Sequence, residues 1–412
     1  MSNLFDLHKS LSPADKKISF FIFLTYFLVL FSYPLVRSTT GALFYESYTS
    51  SDYSFASFVG VIALMGMIFL NNKLQSKLGV HKVYFLTGIF TIVVMLLSFY
   101  FYKQGIKEMA FVLFATKEAY IVLLIHICLA FSNSFYYLDI FKMIIGPIGA
   151  IGSIGGIIGG QLTSYLAKQE GLGTEVVFFI SLVIIFLTVV SFYQTKNAKI
   201  RGLSGAGTSS ITPLRAVKGV QKYVVLIAAI VALSQFVIFI ADLQFNMVFE
   251  KVVTLKDERT AYLGQFYSYI NIVSLFLQFI VLPYLLSSFS LRSIFLFIPI
   301  LYLVLVFGGL GLGSAQMIVV ATVFIAMKGA DYSIFSAAKE VMYHPLLSLQ
   351  KFGAKYITDM FVYRLAKAVI ALIMAQSIFQ SMQILSILQF VFLALWIFLI
   401  IQLFIEQKRL KH

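Results

Sequence analysis

The sequence predicts an all-α membrane protein in which twelve transmembrane helices form two six-helix halves. Three observations lead to this fold class. Of the 412 residues, 60% are hydrophobic and only 12% are charged, which is not the composition of a soluble surface. Apolar runs of about twenty residues recur along the chain, and a helix of that length crosses about 30 Å of hydrocarbon with its backbone bonded internally. One long hydrophilic interruption lies near the middle.

Twelve apolar runs follow one another and are the predicted spans. In chain order they are Ile18–Leu35, Phe55–Leu70, Val83–Tyr102, Ala119–Leu138, Ile144–Leu166, Val176–Phe192, Tyr223–Val248, Ala261–Leu286, Ile294–Leu312, Met317–Ile334, Tyr356–Phe379 and Met382–Ile405. The polar segment Met1–Lys17 precedes the first span, which is too long and too poorly terminated to be a cleavable signal peptide. We therefore expect no processing at this end.

The basic residues of the loops predict the orientation. Twenty of the 31 Lys and Arg fall on the side of the termini, seven on the opposite side, and four within or at the ends of spans. The seven are Lys103, Lys107, Lys117, Lys168, Lys251, Lys256 and Arg259. Because cytoplasmic loops collect Lys and Arg, both termini are expected in the cytoplasm. The net charge of +14 is then explained mostly by the basic cytoplasmic loops of a protein that spans the lipid bilayer, and no nucleic-acid partner is expected.

The hydrophilic interruption, Gln194–Lys222, carries six basic residues around a stretch of small residues. It divides the chain into an N-terminal half, 1–193, a cytoplasmic linker, 194–222, and a C-terminal half, 223–412. Two six-helix halves joined in this way are typical of the major facilitator superfamily, whose halves rock about a site at the membrane midplane.

Seven ionised residues lie in or at the ends of spans. They are Arg37, Asp242, Lys328, Asp331, Asp359, Arg364 and Lys367. At about 3 kcal/mol each, their exposure to lipid would cost on the order of 20 kcal/mol, so they are expected to face protein or water. The positive excess among them favours an anionic small molecule as the substrate.

Arg364 and Lys367 are expected near the middle of the eleventh span, on one helix face, with Tyr363 as an aromatic wall. Two interpretations are open: this face lines a substrate cavity, or the cations belong to a structural ion pair with Asp359 or another carboxylate. Lys328 and Asp331, three residues apart, are expected to neutralise each other.

Two further polar positions lie at the outer ends of spans. Arg37 follows Pro34 after the first span and either contacts substrate or extends its charge to the membrane surface. Asp242 and Gln244 belong to a polar patch that ends the seventh span, where the alternatives are a binding surface or hydrogen bonds between helices.

The fifth span is rich in glycine. Seven glycines occur in fifteen residues at spacings of three to four: Gly146, Gly149, Gly152, Gly155, Gly156, Gly159 and Gly160. Such a face is typical of close helix packing in membranes. A phosphate-binding loop is not indicated, because no strand precedes the glycines and no Gly-Lys-Ser ending follows them.

Enzymatic chemistry finds little support. His126 and His344 are isolated, and no metalloprotease helix or nucleophile elbow occurs. Cys128 is the single cysteine, which excludes an intramolecular disulfide and a thiolate metal site. We expect no enzymatic activity, no cofactor and no bound metal; an intramembrane enzyme is a remote alternative.

The segment Ala330–Leu346, followed by Lys355, Asp359 and Arg364–Lys367, resembles a signature of the bacterial and plastid ADP/ATP translocase (nucleotide transporter) family. That signature reads Tyr-Ser-(Leu/Ile)-Phe, Lys-Glu-Met-x-Tyr-x-Pro-Leu, Asp and Arg-Leu-(Gly/Ala)-Lys. Asp242–Phe245 and Gly264–Tyr267 are similar to patterns of the family's shorter bacterial relatives of the major facilitator type. The resemblance implies this fold, transport in a bacterial cytoplasmic (inner) membrane, and ATP or ADP as substrate.

One segment departs from the family pattern. After the first span the family continues Leu-Arg-Asp-Thr-Lys-Asp, whereas this chain reads Val36-Arg37-Ser38-Thr39-Thr40-Gly41. The Arg is kept, but the Lys and both acidic residues are absent, which weighs against nucleotide as the substrate.

The sequence thus predicts a secondary active transporter of an organic anion that works by alternating access, and it does not determine the oligomeric state, for which a monomer is the default expectation. Candidate substrate contacts are Arg37, Asp242, Gln244, Lys339, Tyr363, Arg364 and Lys367. Exchange of ADP and ATP is one coupling mode. The alternative is a proton-coupled importer or exporter of another small molecule, such as a siderophore or metabolite, with Asp242, Asp331 and Asp359 as candidate proton carriers.

Overall fold

The computed structural model describes residues 12–198, 213–311 and 316–409. Within these ranges the chain folds into long helices joined by short turns, which we number α1 to α12. Their bounds are α1 Pro13–Ser47, α2 Ser50–Leu78, α3 Val80–Lys103, α4 Met109–Phe135, α5 Leu138–Lys168, α6 Gly173–Tyr193, α7 Gln221–Val252, α8 Lys256–Ser288, α9 Leu291–Leu305 with its continuation Val306–Gly311, α10 Met317–Met342, α11 348–374 and α12 Met382–Arg409. A short helix also occurs at Pro213–Ala216.

Eleven helices of the described residues are long and apolar enough to cross a bilayer, and each overlaps a predicted span. The remaining predicted span, Tyr356–Phe379, corresponds to α11, which begins eight residues earlier. α11 is less apolar than the others because it carries charged residues near its middle. The end of the ninth predicted span, Leu312, lies outside the described residues. The all-α, twelve-helix fold is confirmed.

Several helices continue well beyond their apolar runs. α1 extends twelve residues past Leu35, and α4 begins ten residues before Ala119. Two sequence-based assignments are therefore wrong: Arg37 lies inside a helix, not at its outer end, and Lys117 belongs to α4, not to an outer loop. Hydropathy marks only the part of a helix that contacts hydrocarbon, whereas the hydrogen-bonded backbone continues into the polar region.

Four of the described helices contain π-helical segments. They are Leu277–Val281 in α8, Val306–Gly311 in α9, Asp331–Phe335 in α10 and Tyr356–Val362 in α11. A π-helical segment interrupts the regular α-helical hydrogen bonding and frequently occurs at functional sites. The two segments in α10 and α11 carry acidic residues.

The chain separates into two compact units. Unit 1 comprises Met1–Ser47, Ile62–Gly207 and Thr254–Asn271, and unit 2 comprises Tyr48–Val61, Thr208–Val253 and Ile272–His412. Most of each predicted half lies in one unit, but the first part of α2 belongs to unit 2 and the first part of α8 to unit 1. The cytoplasmic linker stays a prediction, and its residues 199–212 lie outside the described ranges.

The glycine-rich face of α5 packs closely inside unit 1, as predicted. A Cβ atom at Gly155 would lie 2.5 Å from the carbonyl oxygen of Phe27, and one at Gly159 would lie 2.2 Å from that of Phe31. Gly160 approaches the backbone of α8, where its Cβ would lie 2.5 Å from the carbonyl oxygen of Gly264. Only glycine allows α5 to approach the backbones of α1 and α8 at these positions.

Candidate functional site

Helices α10 and α11 of unit 2 bring charged side chains together near their middles. In α10, the Lys328 ammonium lies 2.9 Å from a carboxylate oxygen of Asp331, and the two side chains are 11% and 7% exposed. Asp331 is the first residue of a π-helical segment. The prediction that these two residues neutralise each other is confirmed.

A second ion pair joins α10 to α11. The Lys339 ammonium lies 2.7 Å from Asp359 Oδ1, with side chains 17% and 26% exposed. The Tyr343 hydroxyl donates a hydrogen bond of 3.2 Å to the same oxygen. Burial raises the pKa of Tyr343 well above its usual value, so the phenol stays neutral and acts as a donor. Asp359 is thus held by two residues from the end of α10, and Arg364 is not its ion-pair partner.

Arg364 has a different environment from these lysines. Its guanidinium Nη1 donates a hydrogen bond of 2.8 Å to the carbonyl oxygen of Met360, and the residue is half-buried. Among the described residues no carboxylate lies within 4 Å of it. Arg364 lies sixteen residues into α11, or about 24 Å along a helix of 27 residues. It is therefore a mid-helix cation without an ion-pair partner among the described residues.

Lys367, the second cation on this face of α11, does not lie where the sequence predicted it. Because α11 ends at Met374 and not at Phe379, Lys367 lies seven residues, about 10 Å, from the end of the helix. Lys367 is therefore less central than expected. Tyr363 is half-buried and interacts electrostatically with Lys328 of α10.

Asp242 lies ten residues before the end of α7, inside the helix. The Tyr53 hydroxyl of α2 donates a hydrogen bond of 2.6 Å to Asp242 Oδ2, and the Asn246 side-chain amide donates one of 3.2 Å to Oδ1. No cation of the described residues lies within 4 Å of this carboxylate. Asp242 therefore differs from Asp331 and Asp359, since neutral donors are the partners that the structure gives it.

Gln244 follows Asp242 on α7 but faces a different neighbour. It is completely buried, and its amide nitrogen donates a hydrogen bond of 3.1 Å to the Ser386 hydroxyl of α12. This is the contact between helices that the sequence left open as an alternative to substrate binding.

Arg37 belongs to unit 1, whereas the other candidate residues belong to unit 2. Its guanidinium carbon lies 4.1 Å from the ring centre of Tyr267 in α8 and 5.7 Å from that of Tyr33 in α1. The residue is half-buried and lies ten residues before the end of α1. Cation–π interactions with these two rings stabilise the Arg37 charge within the protein.

Sequence reasoning missed three residues of structural importance. Arg259 was placed in an outer loop, but it lies in α8, is 7% exposed, and donates a hydrogen bond of 2.6 Å to the Tyr45 carbonyl oxygen. Lys117 is 3% exposed, and its ammonium lies 3.5 Å from the ring centre of Phe114. Tyr53 gave no signal, because a tyrosine near a helix end is usual at a membrane interface.

Comparisons with known proteins bear on the fold. No family model and no curated protein matches the chain. The crystal structure of the nucleoside transporter NupG aligns with a TM-score of 0.71 and 14% identity, over 94% of this chain and 100% of that one. A bacterial homologue of the iron transporter ferroportin, in an inward-facing state, gives 0.66 and 14% over 94% and 98%.

A bacterial homologue of the human lysosomal transporter Spinster aligns with a TM-score of 0.65 and 12% identity, over 97% of this chain and 99% of that one. At these identities the likeness shows the fold alone, and that fold is of the major facilitator type. The resemblance to the ADP/ATP translocase family stays a prediction.

Proposed function

We propose that this chain is a secondary active transporter that moves a small organic anion across a bacterial cytoplasmic membrane by alternating access. The observation that carries the proposal is Arg364, a mid-helix guanidinium without a carboxylate partner among the described residues. A cation at this depth is costly, and ionised residues in spans usually mark a substrate or ion pathway. The planar guanidinium also suits bidentate binding of a carboxylate or phosphate.

The surroundings of Arg364 support an anion site on α10 and α11. Tyr363 precedes it in the chain and offers a ring against which a planar substrate stacks. The two ion pairs, Lys328–Asp331 and Lys339–Asp359, hold the π-helical segments that flank it in unit 2. In this proposal the pairs are structural, and Arg364 with Lys367 supplies the positive charge.

Nucleotide is the first substrate candidate, because the Ala330–Leu346 and Arg364–Lys367 segments resemble those of nucleotide translocases. NupG, which shares the fold, is a nucleoside transporter, and nucleosides are chemically related to nucleotides. Nucleoside and nucleotide differ in the phosphate, and Arg364 is the residue that would favour the charged form. We therefore rank nucleotides above nucleosides for this chain.

A specific observation favours proton coupling as the second candidate mode. Two of the three aspartates in spans, Asp331 and Asp359, are held in ion pairs with lysines. Asp242 has neutral hydrogen-bond donors instead. Uptake of a proton by Asp242 leaves no described cation without its ion-pair partner, so Asp242 is the proton carrier if the chain is proton-coupled.

Transport assays in liposomes test the proposal. The purified chain is reconstituted into vesicles, and uptake of labelled ATP, ADP and other phosphorylated or carboxylated metabolites is measured with and without internal substrate. Uptake that requires internal substrate and ignores an imposed pH gradient identifies exchange. Uptake into empty vesicles that collapses with a protonophore and with Asp242→Asn identifies proton coupling.

Binding assays on two variants test the anion site. Arg364→Gln should reduce binding of the transported anion at least tenfold while the protein remains folded, because it removes a charge-assisted contact of about 1.5–3 kcal/mol. Lys351→Gln, at the beginning of the same helix, is the matched control and should bind as the wild type does. Equal binding by wild type and Arg364→Gln, with both folded, would refute the assignment.

A further inference from the structure

An open groove of about 450 Å³ lies between α1 and α5 in unit 1. Lys16, Phe20, Phe23 and Phe27 of α1 line it, together with Ile151 of α5. Phe20 is 62% exposed, although it is a large aromatic side chain. The groove is therefore an apolar surface on the side of the helices, and not part of the site around Arg364.

The α1 residues of the groove form one stripe along the helix. Lys16, Phe20, Phe23 and Phe27 are spaced three or four residues apart, which places them on one face. From Lys16 to Phe27 the stripe is eleven residues, or about 16 Å, long. That length is about half of the 30 Å hydrocarbon core, which corresponds to a single leaflet.

Glycines of α5 allow close packing of this helix against α1 beside the groove. A Cβ atom at Gly152 would lie 2.3 Å from the Leu30 side chain, and one at Gly155 would lie 2.5 Å from the Phe27 carbonyl oxygen. These contacts bring the two helices together just beyond the groove. Ile151 is the residue of α5 that lines it, so the space beside the phenylalanines is left for another molecule.

The groove is charged at one end only. Lys16 precedes the apolar run that begins at Ile18, so we expect its ammonium at the membrane surface. Lys16 makes no ion pair with any of the described residues. Ser19 also lines the groove, one turn further along, but its hydroxyl oxygen is buried. The rest of the lining is apolar.

We propose that this groove binds an anionic phospholipid, with an acyl chain along Phe20, Phe23 and Phe27 and the headgroup phosphate at Lys16. Charge complementarity at one end and an apolar stripe of one leaflet's length match this ligand class. Basic pockets at the surface ends of transmembrane helices recognise anionic headgroups in this way. The proposal does not depend on what the chain transports.

A second groove in unit 2 provides an internal control. It measures about 430 Å³ and is lined by residues of α9 and α10 that include Val304, Gly308 and Ile318. Its size is nearly the same, but it has no charged residue in its lining. We expect it to take acyl chains without preference for the headgroup.

Lipid titration of the purified full chain tests the proposal. Phosphatidylglycerol or phosphatidylcholine is added to delipidated protein in detergent, and the number of retained lipids is measured by native mass spectrometry. Wild type should retain one phosphatidylglycerol with about fivefold preference over phosphatidylcholine, the effect of one lysine near an anionic group. Lys16→Gln should lose that preference, and Ile151→Trp, which fills the groove, should lose the retained lipid.

Two controls separate this site from general effects. Lys77→Gln removes an exposed lysine in the last turn of α2, and Gly308→Leu fills the second groove, where a Cβ at that glycine meets no atom within 4 Å. Both should keep the wild-type headgroup preference. Inorganic phosphate at the same concentration should not displace the lipid.

Three results would overturn the proposal: no headgroup preference in the wild type, an unchanged preference in Lys16→Gln, or equal loss in the Lys77→Gln control. Displacement by inorganic phosphate would also overturn it, because the site would then recognise a free anion and not a lipid.

Discussion

Substitutions in the ion pair between Lys339 and Asp359 test whether these two charges on α10 and α11 stabilise the fold or bind substrate. At 2.7 Å, two unit charges attract by about 6 kcal/mol at an effective dielectric constant of about 20, and desolvation offsets much of this. The side chains are 17% and 26% exposed. We therefore expect the loss of one partner to cost about 2 kcal/mol, less than the 3–5 kcal/mol of a fully buried pair.

A double-mutant cycle measures this interaction. Lys339→Gln and Asp359→Asn should each lower the free energy of unfolding by about 2 kcal/mol, because each leaves one charge without its partner. The double variant should recover about 1–2 kcal/mol of the summed loss. The assay is equilibrium unfolding in mixed micelles titrated with denaturing detergent, followed by helical content.

The pair formed by Lys355 and Glu340 is the matched control, since it joins the same two helices. Its side chains are 37% and 51% exposed, so its coupling should stay below about 1 kcal/mol. Losses at Lys339 and Asp359 that add within about 0.5 kcal/mol would refute the structural role. Substrate binding by the double variant then shows whether Lys339 also contacts the anion directly. If it does, the double variant should recover stability but not substrate binding.

Three further predictions concern packing, topology and the α2–α7 contact. Gly159→Ala should destabilise the chain by about 1–3 kcal/mol, whereas Gly146→Ala, whose Cβ meets no atom within 4 Å, should be nearly neutral in the same unfolding assay. A cysteine at Ser209, in a Cys128→Ser background, should react with an impermeant reagent only after the cells are opened; labelling of intact cells would contradict the topology. Tyr53→Phe should cost about 1.5–3 kcal/mol, because it removes a hydrogen bond of 2.6 Å to the Asp242 carboxylate, and an unchanged unfolding midpoint would show that this bond is not stabilising.

The helices could be predicted because crossing hydrocarbon requires about twenty apolar residues, a signal contained in a single stretch of sequence. The pair Lys328–Asp331 was predictable for the same reason, since three residues along one helix fix its geometry. The partner of Asp359 was not, because Lys339 lies on another helix and pattern alone does not say which helices pack together. Local interactions can be derived from the sequence, and contacts between helices require the fold.

The ends of the helices were the least predictable feature, and the candidate site depends on them. Arg37 and Asp242 each lie ten residues before the end of a helix. In the sequence, however, Arg37 follows an apolar run, and Asp242 belongs to the polar patch that ends another. Counting apolar residues therefore placed them at the membrane surface. Arg259 was misplaced similarly, because the first turn of α8, residues 256–259, is polar, and Arg259 is the buried residue in it. A buried residue in a polar helical turn looks like a loop residue until its partner is known.

The contacts made by the beginnings of α2 and α8 affect how alternating access would work. In unit 2 the beginning of α2 is held to α7 by the bond from Tyr53 to Asp242, and in unit 1 the beginning of α8 is held to α1 by the bond from Arg259 to Tyr45. Each bond joins a residue of the half 1–193 to a residue of the half 223–412, so rigid movement of one half against the other would strain both bonds. A proton on Asp242 removes the charge that strengthens the bond from Tyr53, so proton coupling through this residue would weaken the contact between α2 and α7 and ease that movement.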